Sequence, residues 1–60
     1  MRFRKPKKVG EKVSFEFRGK PVTIVRERDY FRIHAGGWVI CLPKNTSAED
    51  IAREIFKKFN

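Results

Sequence analysis

Residues 30–42, Tyr-Phe-Arg-Ile-His-Ala-Gly-Gly-Trp-Val-Ile-Cys-Leu, decide the fold of this 60-residue chain. On both sides of Gly36-Gly37, side chains that suit a core alternate with side chains that suit a surface, as in two half-buried strands. Gly36-Gly37 suits a primed turn, because both central residues of a type I′ turn need positive φ. The segment therefore predicts a β-hairpin.

Two further strands are predicted before this hairpin. Residues 13–17 alternate apolar and polar side chains, and residues 21–26 form a β-branched run after a proline. Arg18-Gly19 suits the two-residue turn between them, and Arg28-Asp29 suits the tip of the next reversal. These turns place apolar residues of neighbouring strands opposite one another on one face.

A C-terminal helix is predicted after Pro43. Thr46 with Glu49 three residues on fits a capping box, and Ser47 with Asp50 is a near-equivalent register. An apolar stripe follows at helical spacing: Ala48, Ile51, Ala52, Ile55, Phe56 and Phe59.

The predicted fold class is α+β, an antiparallel β-meander of three to four strands with one C-terminal α-helix packed on one face. Its predicted core is Val13, Phe15, Phe17, Val22, Ile24, Phe31, Ile33, Trp38, Ile40, Leu42, Ile51, Ile55, Phe56 and Phe59. Trp38 comes directly after a turn at the end of the sheet, so a partly exposed contact residue is the alternative there.

Positive charge is concentrated before the first strand. The formal net charge is +8, and residues 1–12 supply +5 of it through six basic residues and one acid. Because like charges repel and Pro6 and Gly10 interrupt the segment, we expect a flexible basic arm over 1–12 and a single ββββα domain over 13–60. Phe3 would either dock on the domain or stack on a base.

The remaining composition excludes several classes. A single Cys41 and a single His34 provide no internal disulfide and no Cys/His zinc site, so no cofactor or metal is expected. No apolar run is long enough for a membrane span or follows the basic start as in a secretion signal. We therefore expect a cytoplasmic protein, nucleoid-associated if it binds DNA. The absence of Gln and the preference for Lys, Arg and Glu hint at a thermophilic source.

The face of the sheet opposite the helix, here called the outer face, has no predicted cover. Such a face can lie in a DNA groove, stack on single-stranded bases, or be an ordinary solvated surface. Its predicted members are Ser14, Glu16, Thr23, Val25, Tyr30, Arg32, His34, Val39 and Cys41.

The basic excess favours a polyanionic partner, and we expect a small nucleic-acid-binding protein, with duplex DNA favoured over RNA. Arm residues would contact phosphates, a second group would extend the basic surface, and outer-face residues would touch bases or sugars. The phosphate-binding residues are Arg2, Arg4, Lys5, Lys7 and Lys8. The extending residues are Arg26, Arg28, Arg32 and Lys44, and the base or sugar contacts are Thr23, Tyr30 and His34.

Two other functions stay open from the sequence. The outer face or an edge strand could instead form a homodimer or bind a protein partner. Tyr30, Arg32 and His34 alternate on one strand, so a small ribonuclease with His34 as acid–base catalyst is a third possibility. Since His34 has no predicted second base or carboxylate partner, we expect no enzymatic activity and assign no catalytic residue.

The succession of strands and helix resembles known DNA-binding domains. Residues 22–59 resemble the arm-binding domains of phage integrases and the plant AP2-type domain, which insert the free face of a three-stranded sheet into the major groove. That resemblance implies five groove-facing positions, Thr23, Val25, Arg32, His34 and Val39. Residues 13–20, Val-Ser-Phe-Glu-Phe-Arg-Gly-Lys, resemble the first hairpin of small archaeal chromatin proteins, which have one more strand than is predicted here.

Overall fold

Four strands and one helix make up the computed structural model, which describes residues 3–59. The strands are β1 Lys12–Phe17, β2 Lys20–Arg26, β3 Tyr30–Ala35 and β4 Trp38–Pro43, and the helix is α1 Ala48–Lys58. The strands form one antiparallel sheet in the order β1-β2-β3-β4. The predicted α+β meander with a C-terminal helix is confirmed. No helix in the described range is long and apolar enough to cross a membrane.

The predicted register is also confirmed. Phe15 lies opposite Val22, Ile24 lies opposite Ile33, and Ile33 lies opposite Ile40. A shift of one residue would send these side chains to the opposite face, so burial of one face holds the register.

The two hairpin turns at one end of the sheet differ in type. Arg18 and Gly19 both have positive φ, 55° and 77°, as a type I′ turn requires. Gly36 has φ 61°, whereas Gly37 lies outside the left-handed range. The predicted primed turn at Gly36-Gly37 therefore lacks the second positive φ of type I′. A positive φ at the first central position alone is the pattern of a type II′ turn, which joins strands with the same two-residue length.

The core lies between the inner face of the sheet and α1. Its fully buried cluster is Val22, Ile24, Phe31, Ile33, Ala35, Ile51 and Ile55. Phe15, Phe17, Ile40, Leu42 and Phe59 pack around that cluster and stay partly exposed. Three predicted core residues do not belong to it: Val13 is only half-buried, and Trp38 is 54% and Phe56 43% exposed at the end of the sheet. The sheet is too short there for the helix to cover large aromatic rings.

The helix begins in the second of the two predicted registers. Ser47 is the N-cap, and its Oγ accepts a hydrogen bond from the Asp50 amide at 3.1 Å. Two acids in the first turn and two lysines in the last complement the helix dipole. The cap residue fixes where α1 leaves the sheet and hence which of its faces meets the core.

Residues before β1 lie against the folded domain. The Phe3 ring stacks on Phe15 with centroids 5.0 Å apart, and Pro6 is fully buried. The Gly10 amide donates to the Arg26 carbonyl at 2.7 Å. Of the two alternatives for Phe3, the structure therefore shows docking. Whether the segment is mobile in solution stays a prediction.

Glu11 organises the end of this segment. Its Oε1 accepts hydrogen bonds from the Lys7 and Lys8 amides at 2.8 and 3.1 Å. These two bonds stabilise the carboxylate and hold the pKa of Glu11 below its ordinary value, and the nearby Arg4 guanidinium acts in the same direction. Glu11, the one acid in the sequence of residues 1–12, thus folds the chain back toward β1.

Candidate nucleic-acid interface

The outer face has the composition that the alternation predicted. Thr23 lies opposite His34 on the neighbouring strand, and His34 lies opposite Val39. The Thr23 hydroxyl is 3.1 Å from that of Ser14. Val25, however, is only 6% exposed, because it lies between Lys12 and Arg32 in adjacent strands. Of the five groove-facing positions that the resemblance implied, Val25 is therefore inaccessible.

Charge on the outer face is balanced. Lys12 and Arg32 supply two positive charges, and Glu16 and Glu27 supply two negative ones. Arg32 Nη2 lies 2.8 Å from Glu27 Oε2, so this guanidinium is already engaged by a carboxylate. The formal charge of the face is zero, so it creates no net positive field, and the positive charge of the chain lies elsewhere.

A basic cluster surrounds the loop between β2 and β3, and we call it the loop-end cluster. The Lys44 amide donates to the Asp29 carbonyl at 3.2 Å, and this bond joins two loops of the same sheet end. The Arg26 guanidinium hydrogen-bonds to the carbonyls of Glu27 and Arg28. Seven basic residues belong to it, and the acids Glu11, Glu27 and Asp29 lie in the same segments. The basic members are Arg4, Lys5, Lys7, Lys8, Arg26, Arg28 and Lys44.

Members of this cluster differ in how firmly they are held. The Lys5 ammonium lies 5.6 Å from the centroid of the Phe31 ring and donates to the Thr46 carbonyl at 3.1 Å. Arg4 pairs with Glu11 at 3.2 Å in an exposed ion pair that contributes little to stability. Arg28 and Lys44 are exposed. Arg2 lies outside the described residues.

A second basic site, not predicted from the sequence, lies at the opposite end of the strands. It is an open groove of about 260 Å³, here called the turn-end groove. Among the described residues, three cationic and two aromatic side chains and two glycines line it, and none of them is acidic. The lining residues are Arg18, Lys20, Gly36, Gly37, Trp38, Lys58 and Phe59.

Aromatic rings and cations alternate around the turn-end groove. The Lys58 ammonium lies 4.8 Å from the centroid of Trp38, and the Lys20 ammonium lies 6.0 Å from that of Phe59. An exposed cation–π contact of this kind contributes only about 0.5–1 kcal/mol, so either lysine can leave its ring for a stronger partner. The helix C-terminus adds about half a negative charge, which three cations outweigh.

The residues that line the turn-end groove are far apart in the sequence, and for this reason the groove was not predicted. Its lining comes from the β1–β2 turn, the β3–β4 turn and the last turn of α1. In a meander, alternate turns lie at the same end of the sheet, so the first two segments could have been grouped. The direction and length of the helix, which add Lys58 and Phe59, depend on packing.

The described residues contain no group of three or more His, Cys, Asp or Glu side chains that could hold a metal ion. Tyr30, Arg32 and His34 share the outer face, as predicted, but Arg32 is engaged by Glu27. Comparison of the chain with protein-family models, curated proteins and solved structures found no match.

Proposed function

We propose that the protein binds nucleic acid, with duplex DNA as its principal ligand, through phosphate contacts at the two ends of the domain. The supporting observation is the separation of charge over the surface. The outer face is neutral, whereas seven basic residues gather in the loop-end cluster and three in the turn-end groove. This distribution favours contacts with the backbone over insertion of the sheet into a groove.

The size of the domain is compatible with several simultaneous phosphate contacts. Its longest dimension is 28 Å, which corresponds to about eight steps of duplex at 3.4 Å each. Two basic regions at opposite ends of the strands can therefore meet phosphates on one stretch of DNA. Contacts of this kind carry no base readout, so binding would be largely independent of sequence.

The salt dependence of binding tests this proposal. Affinity for a mixed-sequence duplex should fall with a slope that corresponds to about five or more neutralised phosphates, or several-hundred-fold between about 50 and 200 mM salt. Fluorescence anisotropy of a labelled duplex measures the slope. Lys44→Gln in the loop-end cluster should reduce it by about one. Lys12→Gln on the neutral outer face removes the same charge and should leave the slope nearly unchanged. Absence of binding at low salt would refute the proposal.

A second candidate function, self-association through an edge strand, is favoured by the composition of β4. Residues 38–42 contain no charged side chain, whereas the opposite edge strand, β1, carries Lys12 and Glu16. Charged residues are a common protection of edge strands against pairing with another chain. The unprotected edge of this sheet is therefore β4.

The free backbone groups of β4 fit a second copy of the same strand. The hydrogen bond from the Lys44 amide to Asp29 shows that Lys44 is one of the β4 residues whose backbone groups point toward β3. In an antiparallel pair this direction alternates along the strand, so Val39 and Cys41 direct their amides and carbonyls away from β3. Antiparallel pairing about a twofold axis at Ile40 would place Val39 of one copy opposite Cys41 of the other, with four hydrogen bonds. Such an interface is isologous and closed.

Self-association predicts a dimer that strengthens as salt rises, because each copy carries +8 and screening reduces their repulsion. Nucleic-acid binding has the opposite salt dependence. Sedimentation equilibrium should show a dimer that Val39→Lys converts to a monomer, while Ser14→Lys on the other edge leaves it intact. A monomer at all salt concentrations, or a dimer indifferent to Val39→Lys, would contradict this candidate.

A further inference from the structure

The turn-end groove combines cations with an aromatic ring at one accessible place. Trp38 is 54% exposed on the helix side of the sheet, where it lies opposite Ala35 on β3. At the end of a short sheet, a ring of this size leaves a large apolar surface exposed to water and contributes little to the core. Exposed aromatic rings among Lys and Arg side chains are typical of surfaces that bind single-stranded nucleic acid.

The shape of the groove limits the size of its ligand. A volume of about 260 Å³ is slightly below the roughly 300–1,000 Å³ of pockets that enclose a drug-sized molecule. The groove is also open, so one unit of a longer chain can enter while the rest continues outside. Gly36 and Gly37 keep its floor free of side chains.

The chemistry of the lining determines the class of ligand. Arg18, Lys20 and Lys58 supply three cations, and none of the described lining residues is an acid, so the bound group is an anion. Trp38 offers a flat apolar surface beside them, so the same ligand carries a flat ring. A nucleotide combines these two features in one small unit, because it carries a flat base and an anionic phosphate.

We propose that the turn-end groove binds one nucleotide of a single strand, with its base stacked on Trp38 and its flanking phosphates held by Lys20 and Lys58, beside Arg18, whose guanidinium already donates to the Phe59 carbonyl. Lys58 is exposed and flexible enough to turn from the Trp38 ring to a phosphate, and base stacking on an aromatic ring is stronger than an exposed cation–π contact. This proposal rests on the nucleic-acid binding proposed above. It adds a base-dependent contact that a duplex, whose bases are stacked inside, does not make.

Trp38 is the only tryptophan of the chain, so its fluorescence reports directly on the site. A short oligothymidylate should quench it at low salt, whereas an abasic strand of equal length and a duplex should not. A mononucleotide carrying the same base distinguishes a free ligand from a strand. Weaker quenching by the mononucleotide supports the strand, because flanking phosphates are lost, and equally strong quenching would overturn the assignment to a strand.

Substitution of Trp38 separates this site from the rest of the surface. Trp38→Leu should weaken binding of a labelled oligothymidylate about 5- to 100-fold, and Trp38→Phe should restore part of that loss. Affinity for a duplex should change less than about twofold. Tyr30→Leu provides the matched control, because Tyr30 is an exposed aromatic residue on the outer face. Thermal unfolding verifies that each variant is folded.

The outcomes distinguish the two proposals. If duplex binding keeps its steep salt slope but the single strand neither quenches Trp38 nor responds to Trp38→Leu, the groove assignment is wrong and the general function stands. A loss on Tyr30→Leu without a loss on Trp38→Leu would transfer base contact to the outer face and overturn the assignment. If neither ligand binds at low salt, both proposals fail.

Discussion

Phe31→Ala should remove most of the free energy of unfolding of the protein. The ring is 1% exposed, and the Lys5 ammonium and Arg26 guanidinium lie 5.6 and 5.4 Å from its centroid. Truncation of a buried Phe costs about 3–5 kcal/mol. A domain of 60 residues has a total stability of about 3–9 kcal/mol. One substitution therefore removes most of the free energy of unfolding.

Circular dichroism with urea titration measures this effect, and Phe56→Ala is its matched control. Phe56 is 43% exposed, and its ring contacts Phe17 and lies 4.7 Å from the Arg18 guanidinium. We expect this second substitution to cost about 1 kcal/mol. Equal losses for the two variants would show that the centre of the core has been assigned wrongly.

Gly36→Ala should lower the unfolding temperature by about 4–16 °C. The φ of 61° at this position costs an L-residue about 1–2 kcal/mol. The new Cβ would also lie 3.3 Å from Cε1 of Phe59, so that ring must move. Each kcal/mol changes the unfolding temperature of a domain this small by about 4–8 °C. Differential scanning calorimetry gives the temperature.

The neighbouring Gly37→Ala isolates the cause of that loss. A Cβ at Gly37 would meet nothing within 4 Å, and its φ lies outside the left-handed range. Its unfolding temperature should stay within a few degrees of the wild type, or rise slightly because Ala restricts the unfolded chain. A loss as large as that of Gly36→Ala would contradict the type II′ geometry assigned to this turn.

Strand order and register could be predicted because each depends on local patterns. Two-residue turns at Arg18-Gly19 and Gly36-Gly37 and alternation in the flanking segments determine which residues face each other. The exact conformation of the second turn could not be predicted, because Gly-Gly permits both type I′ and type II′ geometry. Capping by Ser47 instead of Thr46 was open for a similar reason, since both residues have an acid three positions later.

The accessibility of individual side chains was less predictable. Alternation assigned Trp38 to the core face correctly. However, the helix ends beside Trp38 and does not extend over its ring, which therefore stays exposed. Alternation also assigned Val25 to the outer face correctly, yet its neighbours Lys12 and Arg32 leave it 6% exposed. Direction follows from the pleat of a strand, whereas exposure depends on the length and position of everything around it.

The sequence alone therefore determined the meander, its register, the helix and the large positive charge, because periodicity, turn residues and composition are properties of short segments. Only the tertiary structure decided where the charge lies. It neutralised the outer face through Glu16 and the Glu27–Arg32 ion pair, and it gathered Arg18, Lys20 and Lys58 around Trp38. The physical reason is that an electrostatic field or a binding groove sums contributions from distant segments, and their relative positions are set by packing of the helix on the sheet.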